Sequence, residues 1–196
     1  METKNNNKIL LIGLAIFISI MAIVGAINNK GMKSIVGAVT KVADNYSGLD
    51  KVVEEAELIR VVDGDTLIVS INGEEQRLRL VEIDCAESVA PQESRNTKDG
   101  DEAHHFTENL LKDVKQIYLT KDTSEVDRYG RLLRLVWLSR PNNVFNEKEL
   151  REKCVNAIIL LNGYAKVVKY DDTGYVEIFS KFEKEGRKKK KQQNSN

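Results

Sequence analysis

The sequence predicts an α+β fold, a small closed β-barrel with helices packed on it, preceded by an N-terminal hydrophobic helix. Three observations predict it. Between Leu58 and Ile83, short apolar runs alternate with turn residues at strand spacing. From Gly100 onward the apolar spacing becomes helical, returns to that of strands, and ends helical. Near the N-terminus, Ile9 to Ile27 forms a run of 19 apolar or small residues without a charge. Three strands, a helix, two strands and then helices is an order met in small barrels, of which the OB-type barrel is a common example.

The elements follow in order. At about 1.5 Å of rise per residue, Ile9–Ile27 approaches the thickness of a bilayer's hydrocarbon core. Lys4 and Lys8 precede it and Lys30 and Lys33 follow, a balance that does not fix orientation. Two readings of residues 1–30 stay open. One is a signal peptide cut after a small residue such as Ala26; the other is an uncleaved transmembrane anchor, favoured because the run exceeds the usual signal core of about 7–15 residues. Either way the domain is expected outside the cytoplasm, secreted or held to the membrane through residues 9–27. Residues 31–56, with small residues, scattered charges and no proline, read as a spacer with a short helix over Lys33–Val42.

The domain is read as residues 57–181. Leu58–Val62 and Thr66–Ile71 are predicted strands around an Asp63-Gly64-Asp65 turn. Asn72-Gly73 is a hairpin signal, and Glu75–Ile83 alternates as a third strand. Gly100–Lys112 is predicted as a helix with Ala103, Phe106, Leu110 and Leu111 on one side. Lys115–Thr120 and Leu132–Leu138 are strands joined by a turn at Tyr129-Gly130. Glu147–Leu161 reads as one long helix stopped by Asn162-Gly163. Ala165–Val168 is a short strand, and Tyr175–Glu185 a last helix. Residues 182–196 read as a basic, disordered tail. His104 and His105 read as surface residues and Trp137 as core. No internal repeat is found.

Composition narrows the functional classes. Lys and Arg number 30, as do Asp and Glu, so the net charge is zero. The average hides an asymmetry. Glu57–Lys181 carries 18 basic and 23 acidic residues, whereas Phe182–Asn196 carries 6 basic and 2 acidic. Bulk charge therefore gives no case for nucleic acid in the domain, although the tail would attract polyanions or an anionic membrane surface. Cys85 and Cys154 lack the CxxC spacing of a zinc site and read as two buried free thiols, although pairing stays open for an exported domain.

Two groups of residues carry chemistry. Asp63 and Asp65 flank a glycine in the first turn, while Asp84 and Glu87 follow the third strand. Hairpin pairing lets the two loops meet. A hard cation such as Ca2+ takes several oxygen ligands, and Asp65, Asp84 and the Cys85 carbonyl supply part of such a shell. Asp-Gly-Asp is also ordinary turn chemistry. Arg79 lies inside an alternating strand, and Arg131 opens another; such arginines need partners. The guanidinium fork binds phosphate oxygens in bidentate fashion, and a salt bridge to a carboxylate is the simpler alternative. Two arginines with a carboxylate cluster are what phosphodiester hydrolysis requires, since charge on the phosphoryl oxygens must be stabilised and water activated.

Three stretches resemble the blocks of the thermonuclease, or staphylococcal-nuclease-like, family. They are Val62-Asp63-Gly64-Asp65-Thr66, Leu78-Arg79-Leu80-Val81-Glu82-Ile83-Asp84-Cys85-Ala86-Glu87 and Asp127-Arg128-Tyr129-Gly130-Arg131. Gly100-Asp101-Glu102-Ala103 and Asn162-Gly163-Tyr164-Ala165-Lys166-Val167 match more weakly, in register. The resemblance covers about Glu57–Tyr170. It implies an OB-type five-stranded barrel with about three helices and a Ca2+-dependent endonuclease that cleaves DNA and RNA, leaving 3′-phosphate ends. It implies that Asp65 and Asp84 bind Ca2+ directly with the Cys85 carbonyl, while Asp63 and Thr66 lie around the ion through water. Glu87 would be the general base, and Arg79 and Arg131 would clamp the scissile phosphate. Tyr129 and Arg128 would lie against the nucleotide.

The sequence also departs from that pattern. Ala86 stands where the family usually has proline. Lys169 and Asp171 stand where it often has tyrosines. Ser139–Lys153 is longer than usual. Two other classes remain: a non-catalytic OB module that binds nucleic acid or protein, and a membrane-anchored interaction protein whose basic tail does the binding. The first is disfavoured by the presence of Asp65, Asp84, Glu87, Arg79 and Arg131 together. No protein partner is expected.

Overall fold

The computed structural model describes residues 53–88, 97–121, 124–168 and 174–193. The hydrophobic segment 9–27, most of the spacer, Lys169 and Asp171 lie outside the described residues. Among the described residues no helix is long and apolar enough to cross a membrane.

Among the described residues, seven strands and four helices follow one another as β1 (Val53–Asp63), β2 (Thr66–Ile71), β3 (Glu74–Leu80), β4 (Ile83–Cys85), α1 (Lys98–Leu111), β5 (Gln116–Thr120), β6 (Leu132–Trp137), α2 (Glu147–Lys153), α3 (Val155–Leu161), β7 (Ala165–Val167) and α4 (Val176–Gln193). Five of the strands close a barrel in the order β1-β2-β3-β6-β5. The β3–β6 pairing is parallel; the others are antiparallel. The expected five-stranded OB-type barrel is therefore present.

Alternation builds the interior. Leu67 and Val69 of β2, Leu78 and Leu80 of β3, Ile117 and Leu119 of β5, and Leu135 and Trp137 of β6 are fully buried. Trp137 is core, as expected, and its Nε1–H donates to Thr120 Oγ1 at 2.9 Å. Asn72 and Gly73 both take positive φ, 54° and 87°, as a two-residue hairpin turn requires. β1 begins at Val53, inside the stretch read as spacer. Its first half pairs with β5 and its second with β2 across two register shifts. Those irregularities let one long strand bend around and close the barrel.

Three further boundaries differ from the sequence reading. The third strand ends at Leu80. Glu82 adopts φ 66° and is fully buried, and the chain turns so that β4 leaves the barrel and pairs with β7. The predicted long helix 147–161 is two helices, because Cys154 is extended (φ −84°, ψ 114°) and bridges to Trp137. Leu138 N–H donates to Lys153 O at 2.8 Å, so the sheet takes a hydrogen bond at the break.

The third difference is the largest. The region read as a disordered basic tail from residue 182 is the greater part of α4, which runs on to Gln193. Phe179, Phe182 and Gly186 are buried on one side of it. That spacing of three and then four residues is a helical face. The Arg151 guanidinium lies 4.4 Å over the Phe182 ring and donates to both Glu185 carboxylate oxygens at 2.8 and 2.9 Å. The long segment after Ser139 thereby gains a structural account: its Phe145 stacks on Tyr175 at 4.8 Å, and its Arg151 holds α4.

α4 approaches α3 at glycines. A Cβ on Gly186 would lie 1.9 Å from Leu160 O, and one on Gly163 would lie 2.8 Å from Gly186 O. Gly163 also has φ 78°, closing the C-terminus of α3 with its N–H on Leu160 O at 2.9 Å. Gly163→Ala combines a strained left-handed residue with a backbone clash. It should lower stability by about 2–6 kcal/mol, taking each effect at about 1–3 kcal/mol. Urea unfolding of the variant against the parent measures it, and a loss below about 0.5 kcal/mol would contradict the packing described.

Candidate active site

The Asp63-Gly64-Asp65 turn and the β4 loop meet as expected. Asp65 is nearly fully buried. Its Oδ2 accepts the Cys85 N–H at 2.7 Å, and its Oδ1 accepts the Thr66 hydroxyl at 3.2 Å and forms an ion pair with the Arg79 guanidinium. Arg79 sits opposite Thr66 in the β2–β3 ladder, which aims it at the same turn. Its other terminal nitrogen binds Asp84 Oδ1 at 2.6 Å and Ile83 O at 3.2 Å. One guanidinium thus lies between two carboxylates. Arg79 is 7% exposed, whereas the Asp84 side chain is 55% exposed, so the cluster runs from core to surface. Arg79 Nε is buried without a hydrogen-bond partner among the described residues.

Asp63 accepts the Gly64 N–H at 2.8 Å and the Ser88 hydroxyl at 2.7 Å. Helix α1 buttresses this turn, since Thr107 Oγ1 donates to Gly64 O at 2.8 Å. Gly64 has no room for a side chain: a Cβ would fall 2.9 Å from Cys85 Cβ. The Glu87 side chain is exposed, and its main chain is fixed from α1. Thr97 N–H donates to Glu87 O at 3.0 Å while Thr97 Oγ1 caps α1 by accepting the Gly100 N–H at 3.0 Å. A Cβ on Gly100 would lie 2.1 Å from Glu87 O, so only glycine lets the loop reach this position.

A second group lies in the turn before β6. Asp127 Oδ1 accepts the main-chain N–H of Tyr129 (2.9 Å) and of Arg131 (3.0 Å), and Oδ2 accepts Arg131 Nε–H at 2.7 Å. Burial pushes the Asp127 carboxyl up, but these hydrogen bonds together outweigh it and hold it below the ordinary carboxylate range. Tyr129 is 69% exposed, with the Arg128 and Arg131 guanidinium groups 4.8 and 5.5 Å from its ring centre. The parallel β3–β6 pairing sets Leu133 beside Arg79, so Arg131 enters the sheet on the strand next to Arg79's.

Asp65, Thr66, Arg79, Asp84 and Cys85 are therefore joined by direct contacts, and Asp63 faces Thr66 in the β1–β2 ladder with its carboxylate on Gly64 and Ser88, while Arg128, Tyr129 and Arg131 form a separate cluster with Asp127. Sequence reasoning gave no role to Ser88, Thr97, Gly100 or Asp127. Asp127 had a local signal, an Asp two residues before Tyr-Gly, the pattern of a side chain that hydrogen-bonds the main chain of its own turn. Arg134 shows the other outcome for a strand arginine. It is buried and paired with Glu125, whose carboxyl its hydrogen bond, with that of Lys121, pulls down to about 2.

Could these residues hold a cation? The donors are hard oxygens, as Ca2+ prefers. The Cys85 thiol is pushed up to about 12 by burial and stays neutral, which leaves its carbonyl as the donor Cys85 can offer. Among the described residues no three His, Cys, Asp or Glu side chains converge as a ready cage. Asp65 and Asp84 do share one positive charge, that of Arg79, and water would have to complete a shell. Cys85 and Cys154 are free and buried, as expected.

Comparison with known proteins agrees with this geometry. A protein-family model, staphylococcal nuclease homologue, matches residues 77–193. A thermonuclease of Staphylococcus hyicus is 40% identical over 112 residues, which cover 57% of this chain and 64% of that protein. One of Staphylococcus intermedius is 36% identical over 98 residues, 50% of this chain and 56% of that protein. An uncharacterised protein of Methanocaldococcus jannaschii is 29% identical over 127 residues, 57% of this chain and 58% of the other. The chain thus spans less than two thirds of the length of these relatives.

Proposed function

The chain belongs to the staphylococcal nuclease homologue family, and from that premise we propose that it is a nuclease that hydrolyses phosphodiester bonds in DNA and RNA, with Ca2+ at Asp65 and Asp84, leaving 3′-phosphate ends. The observation that carries the reading is the single guanidinium of Arg79 held between Asp65 and Asp84 at the edge of the barrel. Bound there with the Cys85 carbonyl, and with Asp63 and Thr66 acting through water, Ca2+ would supply positive charge to the phosphoryl oxygens.

The chain's own residues do the rest. Arg79 and Arg131 donate to the phosphoryl oxygens as charge builds on them. Asp127 fixes the Arg131 guanidinium beside the turn through its Nε and one terminal nitrogen. Glu87, on a loop pinned by Thr97 and Gly100, accepts the proton of the attacking water. Tyr129, exposed and flanked by Arg128, lies against the nucleotide. The alternative, a non-catalytic OB module, does not require Asp65, Asp84, Glu87, Arg79 and Arg131 together.

Chelation should abolish cleavage of a labelled oligonucleotide, and Ca2+ should restore it. Mg2+ should serve poorly, because it demands tighter octahedral geometry than two carboxylates on separate loops provide. Full activity in excess chelator would refute the metal assignment, and no cleavage under any cation would favour the binding module.

The uncharged run Ile9–Ile27 supports placing the domain outside the cytoplasm, anchored or secreted. Protease added to intact cells should then digest an anchored domain. Protection that ends only on lysis would reverse the assignment.

A further inference from the structure

Tyr164 and Lys190 tie helix α4 to the start of α1. Tyr164 stacks on Phe106 with ring centres 4.5 Å apart, and Lys190 Nζ lies 4.7 Å from the centre of the Tyr164 ring. The same ammonium pairs with Glu102 at 3.2 Å and with Asp99 at 3.8 Å. Glu102 and Phe106 are four residues apart on α1 and so share one side of that helix. Glu102, Phe106, Tyr164 and Lys190 therefore close a ring of contacts between α1 and α4. Each contact is modest by itself, since partly exposed ion pairs and single ring contacts hold a side chain only weakly. Their place is what matters. Asp99 and Glu102 bracket Gly100, and Gly100 is the residue on which the Glu87 carbonyl rests, with no room for a Cβ between them. Thr97, which caps the same turn, donates its N–H to Glu87 O at 3.0 Å.

We propose that Lys190 is a positioning residue for the Glu87 carboxylate: it holds the first turn of α1, and with it the main chain of the Glu87 loop, in place. The inference rests on the nuclease reading, in which Glu87 takes the proton of the attacking water. Lys190 itself touches no reacting atom in this role. A group displaced by about 1 Å can lose on the order of 10²-fold in rate, so a weak restraint at this place has a readable effect on turnover. The basic segment of α4 then serves the site through pairs already made. Arg187 pairs with Glu183 on its own helix and Lys189 donates to Asn162 at 2.6 Å, whereas Lys190 reaches across to α1.

The test uses the full chain with Lys190→Met, which keeps most of the stem and removes the charge. Well below the melting temperature, with circular dichroism as the folding control, kcat with Ca2+ should fall at least about threefold while KM stays within about twofold. Lys190→Arg, which keeps a cation beside Tyr164 and Glu102, should restore the rate. Lys188→Met, the same charge change at an exposed position of the same helix, should behave like the parent. In a Glu87→Gln background, Lys190→Met should leave the residual kcat within about twofold, because the group it positions is gone. Amide hydrogen exchange reads the tether without activity. The Gly100 and Asp101 N–H groups, both held by Thr97, should exchange at least about threefold faster in Lys190→Met and at the parental rate in Lys188→Met. An unchanged kcat in Lys190→Met overturns the proposal. So does a loss confined to KM, which would make Lys190 a substrate contact, or a fully additive loss in the Glu87→Gln background. Failure of Lys190→Arg to recover the rate, or parental exchange at Gly100 in Lys190→Met, overturns it as well. If the parent cleaves nothing with Ca2+, the nuclease reading fails and the positioning role with it, and the exchange arm still decides whether Lys190 holds the turn.

Discussion

Arg79→Lys should lower kcat by at least tenfold and towards 10²-fold, with a smaller change in KM. Removing one donor that stabilises transition-state charge typically lowers rate by about 10²–10³. Lysine keeps the charge and loses the fork. Arg79 uses two terminal nitrogens on three acceptors, Asp65, Asp84 and the Ile83 carbonyl. A single ammonium on a flexible stem cannot reproduce that planar spread. The donors would then no longer be held in place before the substrate binds, and the effect falls on turnover rather than on association. Because Arg79 is buried, the change also reaches stability. Lost hydrogen bonds to charged groups in the core should lower it by about 1–3 kcal/mol. Kinetics well below the melting temperature, with circular dichroism at the same temperature, separate the two effects. Arg131→Lys is the comparison. Arg131 is half-exposed and bound to one carboxylate, so its kcat should fall at least tenfold with little change in stability. If both variants fold and keep kcat within about twofold, the arginines are ion-pair partners of the kind Arg134 is with Glu125.

The barrel was legible because its code is local. Alternation in 66–71, Asn-Gly at 72–73 and the repeated apolar runs each specify an element without help from the rest of the chain. The meeting of the Asp63–Asp65 turn with the Asp84–Cys85 loop was legible for the same reason, since hairpin pairing places β1 and β3 on either side of β2. What was not legible depends on tertiary contacts. Nothing in 147–161 announces that Cys154 will be drawn into a bridge with Trp137. Nor does the alternation of 75–83 show that Glu82 will turn at positive φ to release β4.

The tail is a different case. Phe179, Phe182 and Gly186 carried a helical pattern, and the run of five basic residues after Gly186 outweighed it in a reading by composition. Charge describes the solvent side of α4; the three buried positions decide that it folds. Within the site, Arg79 has the partners that an arginine inside a strand needs, and two of them are carboxylates. An anion approaching Arg79 must therefore share a guanidinium already paired twice.

That sharing sets the expectation for Asp65→Asn. The substitution keeps size and shape at a site that is 3% exposed, and an amide oxygen can still accept the Cys85 N–H. It removes one of the two carboxylates on which a bound cation depends, and it leaves Arg79 paired with Asp84 alone. Cleavage should fall by at least about 10²-fold, taken by analogy with the loss of one preorganised charge-stabilising group. The Ca2+ concentration for half-maximal rate should rise at least tenfold. Stability without metal responds to two opposing changes: loss of the Arg79 pair, and relief of repulsion among Asp63, Asp65 and Asp84. Its net change should stay within about 2 kcal/mol, below the roughly 3–5 kcal/mol expected for breaking a buried pair with no such relief. The decisive reading is independent of activity. A ligand that binds only the folded state raises its stability by RT ln(1 + [L]/Kd), so Ca2+ should raise the melting temperature of the parent and do so far less in the variant. An Asp65→Asn protein that keeps its Ca2+-induced shift and its rate would remove Asp65 from the metal site. The carboxylate would then serve only to hold Arg79 and the Cys85 main chain in place.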